Sequence, residues 1–92
     1  MSPTLKQGDI VIADTWIDSE KIAVGDIIIF EHPEIPKANI IKRVSSLKKN
    51  SVYVLGDSPN NSLDSRLLGD IEKEAIKGKA KILIRNAYIQ SL

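Results

Sequence analysis

The 92 residues contain no cysteine. That excludes disulfides and any thiolate metal site or nucleophile. Histidine is almost as scarce. His32 stands alone, with no second His or Cys to share a metal, and it reads as a surface-loop residue. No metal or cofactor is implied. Aromatic residues number four: one Trp, two Tyr and one Phe. Thirteen basic residues nearly cancel twelve acidic ones. The chain therefore offers neither the positive field nor the stacking platform by which proteins hold nucleic acid. The basic bias of Lys73, Lys77, Lys79, Lys81 and Arg85 is diluted by Glu72 and Glu74 and reads as a solvated face. Long apolar runs are missing too. Ile27–Phe30 is strand length, far short of the roughly 18–20 residues of a membrane span. No leader pattern is visible, so membrane association is expected only if an anchor lies upstream.

The chain is long enough for a single domain, residues 1–92. Hydrophobic residues make up 42% and charged residues 27%, a globular and not a disordered mix. Strands are expected at Ile10–Ala13, Ile27–Phe30, Ala38–Ser46, Ser51–Leu55 and Lys79–Arg85. Turns fall at Gly8-Asp9, at Gly25-Asp26, across Pro33 and Pro36, and at Lys48–Asn50. Leu67–Ile76 reads as irregular, with a short helical turn around Glu72–Ile76. The fold class is mostly β: a small barrel or sandwich of short, mainly antiparallel strands.

Two stretches carry chemistry. In Ala38–Ser46, alternation puts Lys42 on a face with Ile40 and Val44, and Arg43 on the other with Ile41 and Ser45. Two consecutive cations cannot both face water on a one-sided sheet. Lys42 has the more apolar neighbours. A lysine among them loses hydration, its pKa falls, and it becomes able to act as a general base. Serine with lysine is an established alternative to the Ser-His-Asp arrangement. The hydroxyls available are Ser2, Thr4, Ser45, Ser46, Ser51, Ser58, Ser62 and Ser65, and residue chemistry does not choose among them. The second stretch, Gly56–Arg66, opens with seven consecutive turn formers, Gly56 to Ser62. Its Gly, Pro, Asp and Asn residues fix backbone conformation, and Asp64 and Arg66 are spaced to close it with a local ion pair.

Taken together, MSPTLKQGDIVIA (Met1–Ala13), GDIIIF (Gly25–Phe30), IIKRV (Ile40–Val44) and GDSPNNSLDSR with the later GKA (Gly78–Ala80) resemble, in order, the sequence boxes of the type I signal peptidase superfamily of serine-lysine proteases. The short interval between Val44 and Tyr53 leaves no room for that family's extra β-domain. The chain is therefore most similar to small single-domain members, such as the nickel-type superoxide dismutase maturation proteases. The resemblance implies a serine endopeptidase that removes an N-terminal leader or signal peptide after small residues. It implies that Lys42 is the general base and that Ser62 orients its amine. It implies that Asp64 and Arg66 are a supporting ion pair, with Asp57 and Ser65 in the same supporting turn. It implies that the strand Asn39, Ile40 and Ile41 pairs with an extended substrate, and that Met1, Leu5 and Ile41 line the small-residue pocket. The partner is a peptide or protein with an N-terminal leader. A soluble maturation protease would be cytoplasmic, and a secretory signal peptidase membrane-associated.

One departure stands out. The family motif S-M-x-P-T-L places its nucleophilic serine three residues before the proline. Counting back from Pro3, that position falls just before Met1, and Ser2 occupies the variable position. The expectation is a chain cut within the motif and inactive as printed, since Lys42 and Ser62 remain. The rivals are a non-catalytic peptide-binding β-module of the same fold and a self-cleaving repressor-type domain. A serine codon immediately 5′ of the Met1 codon in the gene is the expected finding, and its absence would favour the binding module.

Overall fold

β-Branched residues in short runs, broken by Gly-Asp turns, pair as strands because the pleated surface suits their stiff side chains and the ladder satisfies the backbone. The computed structural model of the protein describes residues 10–15, 18–57, 64–85 and 88–92. They form β1 (Ile10–Asp14), β2 (Ile27–His32), β3 (Ile35–Leu47), β4 (Ser51–Leu55), α1 (Ser65–Leu68), β5 (Ile71–Glu72), β6 (Ile76–Arg85) and β7 (Tyr88–Ser91). Short 3₁₀ turns occur at Ser19–Lys21 and Lys73–Ala75.

All strands belong to one antiparallel sheet in the order β1-β6-β2-β3-β4-β5. The long β6 has two edges. One carries β1, and the other carries β2 near Lys79 and β7 near Ile84. The sheet buries side chains on both faces. Ile28, Phe30, Ile40, Val44, Val52, Val54 and Ile71 form the larger core with Ile22. Ile27, Ala80 and Leu83 form a smaller one, with Val11 and Ile41 packed on it. Neighbours in sequence, Ile27 with Ile28 and Ile40 with Ile41, thus point to opposite cores. Two-sided burial is why these strands read as continuous apolar runs and not as alternating ones.

The mostly β class is as the sequence implies, but several boundaries differ. β3 starts at Ile35, not Ala38, and takes in Pro36. Proline is tolerated there because β4 pairs only with Arg43–Leu47, leaving that side of the strand without a ladder among the described residues. The β2–β3 register slips between Phe30 and His32, and Lys37 in the slipped segment has φ 64°. β6 starts at Ile76, ahead of Lys79. The stretch expected to be irregular after Leu67 contains β5 and the 3₁₀ turn at Lys73–Ala75. A one-turn helix, α1, precedes it.

Two glycines have specific reasons. Gly25 turns the chain into β2 at φ 95°, a conformation side chains disfavour. Gly78 in β6 lets β1 approach closely, since a Cβ there would lie 3.2 Å from the Asp14 carbonyl oxygen. Gly78→Ala should therefore cost about 1–3 kcal/mol of stability, because the β1 backbone would have to shift to make room for the methyl group. Phe30→Ala, at a fully buried ring, should cost about 3–5 kcal/mol. Urea unfolding followed by circular dichroism checks both. A Gly78→Ala variant as stable as the parent would contradict the close packing of β1 on β6.

Candidate active site

β3 sets the site by alternation. Lys42 points into the larger-core face, flanked by Ile40 and Val44 and paired across the ladder with Ile28. Only 5% of the residue is exposed. Burial is the main influence on its amine and lowers its pKa. Asp64 pulls the pKa back up, Arg66 pushes it down and Asp57 pulls it up, each more weakly than burial. Lys42 forms no ion pair among the described residues. An amine without a bound carboxylate, in an apolar setting, has the electronic character a proton acceptor needs.

Arg43 takes the opposite face and meets a carboxylate at once. Its Nε and Nη2 donate to the two oxygens of Asp57, both at 3.0 Å, a bidentate fork. Its Nη1 donates to the Gly25 carbonyl at 2.9 Å. The Gly25 turn is tied to the same strand by backbone bonds from Gly25 N to Val44 O and from Val44 N to Asp26 O. Asp26 holds the turn by accepting from Ala23 N and pairs with Lys79 of β6 at 3.3 Å. A hollow of about 390 Å³, lined by Val24, Gly25, Arg43, Leu55 and Asp57 among others, opens over this fork. The larger 730 Å³ hollow at Glu20, Asn50, Asp70 and Glu72 lies away from Lys42 and takes no part in the cluster.

Asp64 organises the far side. Its side chain is fully buried. One oxygen accepts from Arg66 N and Arg66 Nε, both at 3.0 Å. The other accepts from Arg66 Nη2 at 2.7 Å and from Gly56 N at 3.0 Å. Burial alone would push this carboxyl up. The Arg66 guanidinium and the two backbone N–H groups outweigh it and hold the pKa at about 2. Asp64 is also the N-cap of α1. The next residue, Ser65, is buried, and its Oγ accepts from Val54 N at 2.8 Å. One short segment therefore fastens the start of α1 to both Val54 and Gly56 at the end of β4.

The structure thus brings Lys42, Asp57, Asp64, Ser65 and Arg66 together. Asn39 is exposed on β3, Ile41 is half-buried, and the Ile40 side chain belongs to the core, so Ile40 offers only its backbone to a ligand. The β3 edge from Ile35 to Lys42 that faces away from β2 has no strand on it among the described residues. An extended peptide can add there. Ser62, Met1 and Leu5 lie outside the described residues. Arg43 is the residue sequence reasoning passed over. Its signal was the cation pair itself: if Lys42 is buried, Arg43 must find a partner on the opposite face.

Among known proteins, the family model described as "Signal peptidase, peptidase S26" matches residues 1–48 and 45–85. Mitochondrial inner membrane protease subunit 1 of Homo sapiens is 33% identical over 100 aligned residues, covering 86% of this chain and 60% of the relative. The Xenopus tropicalis protein of the same name is 30% identical with the same coverage. The chain thus spans about 60% of the length of the curated relatives it matches. No solved structure matches it.

The Asp64 arrangement predicts a pH signature. Its folded pKa, about 2, lies below the ordinary aspartate value of 3.8. The resulting stabilisation is complete above the unfolded pKa and is lost as pH falls through the folded one. By linkage it is worth about 2 kcal/mol at neutral pH. Asp64→Asn should lower stability by about that amount or more at pH 7, and the gap to the parent should narrow as pH drops from about 4 to 2. Denaturant titrations across that range test it. A gap that does not change with pH would contradict the ion pair.

Proposed function

This chain belongs to the signal peptidase S26 family, and from that premise we propose that it is the catalytic part of a serine endopeptidase that removes N-terminal leader or signal peptides after small residues. The observation that carries the reading is the buried Lys42 amine, lowered in basicity by its apolar surroundings and acted on by the charges of Asp57, Asp64 and Arg66. In this reading Lys42 takes the proton of the nucleophilic serine hydroxyl as that oxygen attacks the scissile carbonyl. It then returns the proton to the leaving amine, and an acyl ester remains on the serine. In the second half, Lys42 takes a proton from water as its oxygen attacks the ester carbonyl, and returns that proton to the departing serine oxygen, freeing the acid and restoring the hydroxyl and the neutral amine. Ser62 orients the lysine amine, and Asp57, Asp64, Ser65 and Arg66 keep the turn in register.

The substrate adds as a strand to the free edge of β3 at Asn39–Ile41, with Met1, Leu5 and Ile41 shaping the pocket for small residues. In this reading the family spacing puts the nucleophilic serine at the position before Met1. The relatives' name, an inner membrane protease, favours work at a membrane over soluble maturation of a metalloenzyme.

The chain extended upstream to include a serine directly before Met1 should cleave a leader peptide bearing small residues before the scissile bond. Lys42→Ala should reduce that cleavage by at least about 10³-fold. Liquid chromatography of peptide products measures both. If the extended chain binds the peptide but never cuts it, the protein is a peptide-binding module. If Lys42→Ala cuts as fast as the parent, Lys42 is not the base.

A further inference from the structure

The edge of β3 that β4 leaves open is interrupted. Pro36 has no N–H to donate, and Lys37 sits at φ 64°, outside the extended conformation. A peptide strand laid along Asn39–Ile41 therefore loses its ladder about four residues upstream of the position opposite Ile41. Recognition beyond that point falls to side chains. A hollow of about 370 Å³ lies at that end of the strand, lined by His32, Glu34, Ile35, Leu67 and Leu68. We propose that it is a second specificity subsite, which takes an aliphatic side chain of the substrate about five to seven residues before the scissile bond. The proposal rests on the reading of the β3 edge as the substrate edge.

The first support is placement. β4 pairs with β3 on the side away from β2, and the start of α1 is fastened to Val54 and Gly56 at the end of β4. α1 thus lies off the same side of β3 that an added strand uses, and its Leu67 and Leu68 share one hollow with Ile35. The second is an apolar surface that cannot fold away. Ile35 and Leu68 pack against the larger core, whereas Leu67 is 66% exposed. Successive residues of a helical turn point about 100° apart, so the turn that sends Leu68 inward sends Leu67 outward. That turn is fixed: Leu67 N and Leu68 N donate to the Asp64 carbonyl at 2.9 and 2.8 Å, and Gly69 N donates to the Ser65 carbonyl at 3.0 Å.

The third support is spacing. The small residues before the scissile bond lie against Ile41, next to Lys42, so the substrate runs parallel to β3 and its upstream end points toward Ile35. Ile35 precedes Ile41 by six residues, about 20 Å in an extended strand and less with the irregularity at Lys37. An extended substrate covers that span in about five to seven residues. An aliphatic side chain there leaves water against Ile35, Leu67 and Leu68. An acidic one meets the Glu34 carboxylate on the rim, whose backbone N–H is tied to His32 Nδ1 at 3.1 Å.

Fluorescence anisotropy of dye-labelled leader peptides on the 92-residue chain tests the subsite. Each peptide has small residues next to a scissile amide that is N-methylated to prevent cutting. Its upstream residues are serine, with one leucine scanned through the fourth to ninth positions before that amide. Affinity should rise about five- to tenfold with leucine at the fifth to seventh positions, and aspartate at the best position should bind more weakly than serine. Leu67→Ser, at an exposed site, should abolish the preference. A merely structural effect of that change would weaken all the peptides alike and keep the preference. A flat scan, no binding of any peptide, or a preference that survives Leu67→Ser overturns the proposal. Cleavage by the serine-extended chain is a separate readout. Cutting with a flat scan sinks the subsite and leaves the peptidase reading standing. The leucine preference without cutting sinks the peptidase reading and leaves the subsite in a binding module.

Discussion

A strand cannot send two consecutive side chains to the same face, and β3 carries two consecutive cations. Everything around the site follows from that constraint. One cation had to enter a buried layer. Lys42 did, among Ile28, Ile40 and Val44. The other had to find a counter-charge on the opposite face, and Arg43 found Asp57. The assignment suits the two side chains. An ammonium that loses hydration can give up its proton, whereas a guanidinium cannot and must be paired. Had the order been reversed, the buried position would hold a permanent charge and no base.

The supporting turn solves a second difficulty. A buried amine is useful only if it stays where it is, and the chain after β4 is rich in residues that favour turns over ladders. Asp64 fixes that chain by accepting five hydrogen bonds, and Ser65 adds a sixth by accepting from Val54 N. These bonds join the start of α1 to the end of β4, the strand that pairs with Arg43 and Val44. β3, the end of β4 and the start of α1 are thus tied to one another. Asp64 also helps set the electrostatics, since its charge is spent largely on Arg66.

Much of this was legible in the sequence. Lys42 could be placed by counting along IIKRV, and the Asp64–Arg66 pairing by their spacing and by the density of turn formers before them. The β class followed from short β-branched runs. What was not legible depends on long-range register. The Arg43–Asp57 fork joins residues 14 apart and appears only once β3 and β4 are aligned. The extension of β3 back through Pro36 was hidden because proline ordinarily ends a strand, and only the absence of β4 beside it makes the residue tolerable. The helix α1 is one turn long and owes its existence to the Asp64 cap, too local a device to leave a periodic signal.

The central claim is that a buried lysine in this family fold serves as the proton acceptor. The pH dependence of kcat/KM for peptide cleavage by the serine-extended chain tests it most directly. A lysine base predicts a rate that rises with pH through one limb whose midpoint lies below the ordinary lysine value of about 10.4. A rate that is flat with pH, or a limb at the ordinary lysine value, would contradict it.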